Sequence, residues 1–187
     1  MHMLYRTLVH WFLAQRMSKI GITDVSTSFF RVAPTDLDVY NHVNNGKYLA
    51  LMDVARQTLI IRAGMWDVFR REGWAPVVAA STIAYRKSLQ PNMKFAIESR
   101  IIGFDEQAVY LEQRFVRPDA HGENEIYARA YVRGRFLKRA GGVVRIDELL
   151  EKTGIDPAAF DLSSRLLDWA ELVQLPSTRA DAPNHWN

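Results

Sequence analysis

Apolar and polar positions change their spacing several times along the chain, and each change marks an element. Over residues 1–20, Leu4, Leu8, Trp11 and Phe12 recur at i, i+4, i+7 and i+8, the spacing of one helical face. Arg6, His10, Gln15 and Arg16 interrupt this run, which is too short and too polar to span a bilayer. It also lacks the unbroken apolar core and small-residue cleavage site of a signal peptide. The expected arrangement is that the greasy face packs on its own domain, with a membrane surface or a partner as the alternative. Residues 25–34 are rich in β-branched and aromatic side chains and end at Pro34, which predicts a strand. Residues 46–63 then place Tyr48, Met52, Ala55 and Leu59 on one helical face, with Leu51, Ile60 and Ile61 elsewhere. Asn44 and Asn45 are natural N-caps and Gly64 a natural stop. A helix apolar on most of its sides must be buried on most of them.

After a linking region over 65–74, the period falls to two. Strands are predicted over 77–85, 94–102, 107–116 and 126–136, separated by turn residues around Pro91, Gly103 and the 118–124 stretch. In the last strand Ile126, Ala128, Ala130, Val132 and Phe136 alternate with Tyr127, Arg129, Tyr131, Arg133 and Arg135, giving one buried and one wet face. Short turns between consecutive strands make a meander and disfavour a doubly wound parallel sheet. Helical spacing returns over 147–152 and 157–175, and the chain from 176 onward is expected to fray. The reading is an α+β protein divided into an amphipathic helix (1–20), a main domain (21–145), a helical extension (146–175) and a flexible tail (176–187).

Composition narrows the chemistry. At 187 residues the chain suits one domain with a sizeable core. A net charge of +3 with interspersed acids is too small to argue for nucleic acid, though it suits an anionic ligand or surface. There is no cysteine, which excludes disulfides, thiolate nucleophiles and Cys-based metal sites and fits a cytoplasmic location. The five histidines, at 2, 10, 42, 121 and 185, form no pair at helical spacing, and His121 sits in a turn between Asp119 and Glu123, so no metal site is expected.

The run TDLDVYNHVNNGKYLALMDVAR, residues 35–56, carries Asp36, Asp38, His42, Asn44, Asn45, Tyr48, Asp53, Ala55 and Arg56 in fixed register. It resembles the signature of the hotdog acyl thioesterases, in particular the 4-hydroxybenzoyl-CoA thioesterase-like branch and sequences related to acyl-ACP thioesterases. The resemblance implies a hotdog fold, an antiparallel sheet wrapped around a long central helix, assembled as a homodimer or homotetramer with acyl sites at the subunit interface. It implies hydrolysis of an acyl-CoA or acyl-ACP with no cofactor. Tyr40 stands where the acyl-ACP relatives usually carry Asn, and their later catalytic carboxylate has no placeable counterpart in this chain.

Thioester hydrolysis needs an attacking water or carboxylate and a donor for the oxygen that becomes anionic. Asp38 is the candidate base or nucleophile, and His42 the group that orients it or the water. The amide of Asn45, at the start of the central helix, is the candidate oxyanion donor, since helix N-termini leave N–H groups unpaired. Gly46 would let an acyl group approach closely, Tyr48 would form core or pocket wall, and Arg86 and Lys87 would meet coenzyme A phosphates. Taken singly, Asp36 and Asp38 read as Asx-turn residues and Asn44 and Asn45 as caps; Asp36 is assigned to structure, and Asp53 with Arg56 to a supporting polar pair. Two other functions stay open: hydratase chemistry on acyl thioesters, and a non-catalytic fatty-acyl carrier brought to membranes by the first helix.

Overall fold

The computed structural model describes residues 2–176 and 180–183. Parts of the tail expected over 176–187, including His185, lie outside the described residues. Five strands form a single sheet in the order β1-β3-β4-β5-β2, every neighbouring pair antiparallel. They are β1 (Ser26–Arg31), β2 (Trp74–Tyr85), β3 (Lys94–Phe104), β4 (Val109–Pro118) and β5 (Asn124–Lys138). The long helix α2 (Asn45–Arg62) packs on one face. Tyr48, Leu51, Met52, Val54, Ala55 and Leu59 of α2 share one core with Ile97, Ile101, Leu111, Phe115, Ala128, Ala130, Val132 and Phe136 of the sheet. Fully burying side chains of this size contributes about 1.5–3 kcal/mol each, so the helix–sheet interface carries most of the fold.

The outer face is wet only in part. Helix α5 (Ser164–Leu172) covers one end of it, where Ala108, Tyr110 and Ala170 are buried with Ile102, Leu162, Leu166 and Trp169 against them. Leu162 seats on Gly103, where a Cβ would lie 2.7 Å from Leu162 Cβ, so only glycine admits this contact. Arg133, expected on the wet face, is therefore buried. Its guanidinium meets Asp105 Oδ2 at 3.0 Å and Tyr110 Oη at 3.1 Å, and the Tyr110 hydroxyl donates to Asp105 at 2.6 Å. Burial works to raise the Asp105 pKa, but the Tyr110 hydroxyl, the Gln107 amide and Arg133 outweigh it and hold the carboxyl below its ordinary range.

Three further expectations are corrected. The linking region over 65–74 contains a helix, α3 (Met65–Glu72), set between Gly64 and Gly73, both in the left-handed region with φ of 75° and 68°. Met65 and Phe69 bury at i, i+4, and Phe69 packs on Phe136 with ring centroids 5.0 Å apart. The helix expected over 157–175 is broken: a 3-10 turn (Pro157–Ala159) capped by Asp156 leads to extended residues, and α5 begins only at Ser164. Phe160 leaves the helical path to pack edge-on against Phe104 at 5.2 Å. Ahead of that break, α4 (Ile146–Thr153) buries Ile146 and Leu149.

The third correction concerns α1 (His2–Arg16). It lies against α2 and the start of the sheet through Met3, His10 and Ala14, with His10 stacked on Phe30 at 4.4 Å. Arg6 anchors it, meeting the Asp36 carboxylate at 2.9 Å and donating to the Arg31 carbonyl at 2.7 Å. The face expected to pack inward points outward instead: Leu4, Leu8 and Phe12 are 65%, 57% and 52% exposed. Among the described residues no helix is long and apolar enough to cross a membrane.

Removing the charge at the Asp105–Tyr110–Arg133 cluster tests how α5 is held. Asp105→Asn is expected to lower stability by about 1–3 kcal/mol, read by urea unfolding at neutral pH. Because the folded carboxyl titrates below its ordinary value, its contribution is complete above roughly pH 4 and fades as pH falls through the lower folded value. The gap between wild type and variant should close in acid.

Candidate active site

The start of α2 is fixed by a short braced loop. A 3-10 turn (Pro34–Asp36) places the buried Asp36, whose Oδ2 accepts from the Ala33 amide at 2.8 Å and whose carbonyl accepts from the Asn44 N–H at 2.9 Å. Between these points the chain makes a tight reversal closed by a Leu37–Val43 bridge, with Asn41 at φ 60°. The Asp38 N–H donates to the His42 carbonyl at 2.8 Å, and Asp38 Oδ1 accepts from the amides of Tyr40 (2.9 Å) and His42 (3.2 Å). Asp38 thus builds its own turn, as an Asx residue does. These contacts engage Oδ1; among the described residues none engages Oδ2. Asp38 and His42 are both half-buried and are brought together through backbone contacts.

At the helix start, Asn44 is the N-cap: its Oδ1 accepts from the Gly46 amide at 2.9 Å, and its carbonyl accepts from Lys47 at 2.8 Å. The Gly46 amide is therefore occupied by the protein, whereas the role expected of Gly46 is only to leave room for an acyl group beside the Asn45 amide. A Cβ at Gly46 would lie 3.3 Å from that cap oxygen, so the glycine protects the cap. Among the described residues no acceptor meets the Asn45 N–H, which leaves it as the open donor of the helix N-terminus.

Tyr48 is a buried core residue. Its hydroxyl accepts from the Leu89 amide at 3.3 Å, its ring packs against Tyr85 (5.0 Å) and Phe115 (4.8 Å), and burial raises its pKa. Tyr85, at the end of β2, reaches the Asn45 carbonyl in a long 3.5 Å contact and joins this corner without having been singled out from sequence. Arg86 and Lys87 are already engaged. Both pair with Glu125, at 2.8 and 2.7 Å, so one carboxylate offsets half the charge expected to meet phosphates.

Further along α2, Arg56 pairs with Asp53 and donates to Gln113 Oε1 at 2.6 Å; Gln113 in turn donates to the Met52 carbonyl (3.1 Å) and Ser99 Oγ (2.8 Å). Gln113 is fully buried. Burial lowers the Arg56 pKa to about 10, which still leaves it cationic at neutral pH. Sequence reading missed Gln113, although its place in the inward row with Leu111 and Phe115 of β4 marks it as a polar group under the helix. An apolar cavity of about 300 Å³ opens beside this network, lined by Leu59, Ile60, Val77, Val78, Leu111 and Phe136 with Asp53 and Arg56 at its edge. Asp38, His42 and Asn45 do not line it. Among the described residues no cluster of three or more His, Asp or Glu side chains could hold a metal ion.

The family model of the thioesterase-like superfamily matches residues 32–171, which span β1's end through α5. The chain belongs to the thioesterase-like superfamily. Curated relatives agree: it is 34% identical over 147 residues to protein THEM6 of Danio rerio, covering 79% of this chain and 69% of that protein. It is 41% identical over 85 residues to protein THEM6 of Xenopus laevis, covering 46% of this chain and 41% of that one, less than half of the relative's length. Two solved structures share the fold. The probable thioesterase YbaW of Escherichia coli superposes with a TM-score of 0.61 at 23% identity, covering 68% of this chain and 95% of its own. The 4-hydroxybenzoyl-CoA thioesterase of Pseudomonas sp. strain CBS-3 does so with a TM-score of 0.59 at 15% identity, covering 68% and 98%. The five-stranded sheet and its long helix are thus a hotdog fold, and the superfamily match begins after α1 ends.

Proposed function

We propose that the protein hydrolyses acyl thioesters, an acyl-CoA first and an acyl-ACP as the alternative carrier. The observation that carries this reading is that an oriented Asp38 carboxylate stands in the braced loop leading into α2 and an open Asn45 amide at the start of that helix, both inside the segment matched to the superfamily. In the proposed reaction Asp38 Oδ2 either takes a proton from the attacking water or attacks the carbonyl carbon, expelling the thiolate to leave an anhydride that water then cleaves to the acid and free Asp38. The Asn45 N–H stabilises the developing oxyanion, helped by the positive end of the α2 dipole. The thiolate leaves without a dedicated acid. His42 orients the water, and Tyr48 with Tyr85 walls the carbonyl end. Gly46 acts through the cap, and Arg86 and Lys87 supply one net positive charge toward the carrier's phosphates.

The acyl tail would follow α2 toward the apolar cavity. Asp53, at its near edge, is eight residues from Asn45, about 12 Å along a helix axis. We further propose that a second copy closes this path. Strand β2 is 12 residues long, has no strand partner on its outer edge among the described residues, and exposes Val77, Val78 and Tyr85. A long apolar edge of this kind invites antiparallel pairing with its own copy. A second reading, a non-catalytic acyl-binding protein, is favoured by one observation: the cavity excludes Asp38, His42 and Asn45.

A hydrolysis screen over short, long and aromatic acyl-CoAs and an acyl-ACP separates the two readings. Turnover favours the enzyme, whereas retained fatty-acid binding with no turnover on any thioester favours the carrier. Asp38→Asn keeps an Oδ1 for the Tyr40 and His42 amides, so the turn should survive while kcat falls about 10²–10⁴-fold; unchanged kcat would remove Asp38 from the chemistry. Asn45→Pro deletes the open N–H at a position where proline is well tolerated. Its kcat should fall about 10²–10³-fold with the melting temperature nearly unchanged. Ser81 is exposed in β2, so Ser81→Lys puts a charge on the proposed seam strand of each copy, and sedimentation velocity should show the dimer giving way to monomer.

A further inference from the structure

Helix α1 lies outside the segment matched to the superfamily, and the proposed reaction does not use its outer face. We infer that this face docks the protein on an anionic lipid surface. The helix is held by its other side, through Ala14, the His10–Phe30 stack and the Arg6–Asp36 pair, so its orientation is set by the body. What that orientation presents is an apolar strip of Leu4, Tyr5, Leu8 and Phe12, with Trp11 at its margin. Leu and aromatic side chains on one face of a short helix suit burial at the boundary between headgroups and acyl chains. The indole and phenol rings tolerate that half-wet boundary.

Charge decides between occupants. Residues 1–23 contain Arg6, Arg16 and Lys19 and no acidic residue; Asp24 is the first. The Arg16 guanidinium lies over the Phe12 ring, 3.4 Å from its centroid, so a cation sits on the apolar strip itself, on a long stem that lets the charged head reach phosphates. Beside the helix, a shallow groove is lined by Arg6, His10, Phe29, Phe30, Arg31 and Lys94, again without a carboxylate. Arg6 is neutralised by Asp36, but Arg31 and Lys94 are exposed, and Phe29 is 74% exposed between them and the helix. A second copy seated face to face would bring two such cation-bearing faces together with no acid on the strip to pair Arg16 or Arg31, which is unfavourable. An anionic membrane supplies the apolar layer and the negative charge together.

Flotation of the full chain with vesicles tests this. The protein should float with mixed phosphatidylcholine–phosphatidylglycerol vesicles, less with pure phosphatidylcholine, and less at high salt. Leu8→Ser with Phe12→Ser should reduce partitioning roughly tenfold or more, and Arg16→Glu should weaken binding to the anionic vesicles alone. Both variants replace exposed residues, so thermal melting and turnover of soluble thioesters should match wild type. Leu4→Ser with Tyr5→Ser is the second variant should the first melt early. Absence from anionic vesicles, or equal binding to neutral and anionic ones, would overturn the proposal. So would self-association or capture of a protein partner that the Leu8/Phe12 variant abolishes while vesicle binding is missing.

Discussion

The structure depends on burying a helix that has almost no polar side. Helix α2 turns Tyr48, Leu51, Met52, Val54, Ala55 and Leu59 into a core that no single layer could cover, and the sheet supplies the opposite face with inward residues from all five of its strands. Once that helix is seated, its N-terminus has one place to be. The Val43 amide donates to the Leu89 carbonyl at 3.1 Å, the Leu89 amide donates to Tyr48 Oη, and the Asn44 amide donates to the Asp36 carbonyl. These bonds tie the first turn of α2 to the strand connection on one side and the Asp36 turn on the other. The loop between them, which holds Asp38 and His42, is therefore braced at both ends, which is what a site working by preorganised donors requires.

The same burial creates a polar problem under the middle of α2. Gln113 sits where an apolar residue would serve the core, and it remains tolerable because its amide nitrogen reaches both the Met52 carbonyl and Ser99, while its oxygen receives Arg56. A buried amide left half-satisfied would cost about 1–3 kcal/mol. Arg56, itself largely buried, is kept in place by Asp53 on its outer side. The chain of groups thus runs from solvent to the sheet and fixes the rotation of α2 about its own axis, because turning the helix would strand each member in turn. That rotation in turn decides which flank of α2 borders the cavity beside Val77 and Val78.

Much of this was legible from residue order, because periodicity reports which faces are buried. The alternation over 126–136 identified the inward residues Ala128, Ala130, Val132 and Phe136 but not the strand's start, where a register shift leaves Ile126 outside the core and packs Tyr127 against it; the apolar helix over 46–63 differs from Asn45–Arg62 by one residue at each end. The failures share one cause: spacing tells which residues are apolar, not which neighbour arrives to cover them. Arg133 reads as solvent-facing until α5 folds over it, and α5 comes from a segment some 30 residues later whose helix is cut short by the Phe160–Phe104 contact. The occupied Gly46 amide was equally hidden, since an Asn before a helix can cap it or leave it open, and only the side-chain torsion chooses. In α1 the strip Leu4, Leu8 and Phe12 was correctly read as one face and wrongly turned inward. The competing face, with Ala14 small enough for close approach and His10 flat enough to stack on Phe30, wins the packing.

That reversal joins the ends of the structure. Arg6 is the residue through which α1 touches the loop, and its partner Asp36 is also the residue whose carbonyl holds Asn44 at the head of α2. A buried ion pair of this kind is strongly destabilising to break from one side, because the remaining charge stays in a poorly solvated place. Movement of α1 away from the body would therefore be felt first at Asp36 and then at the helix start. In the proposed reaction that is the distance between the Asp38 carboxylate and the Asn45 amide. A helix that lies against a lipid surface and is pinned at this point would keep the entrance to α2 at a constant height above that surface. An acyl thioester with a long apolar tail partitions to the same boundary, so the carbon to be attacked and the groups proposed to attack it would meet in one plane.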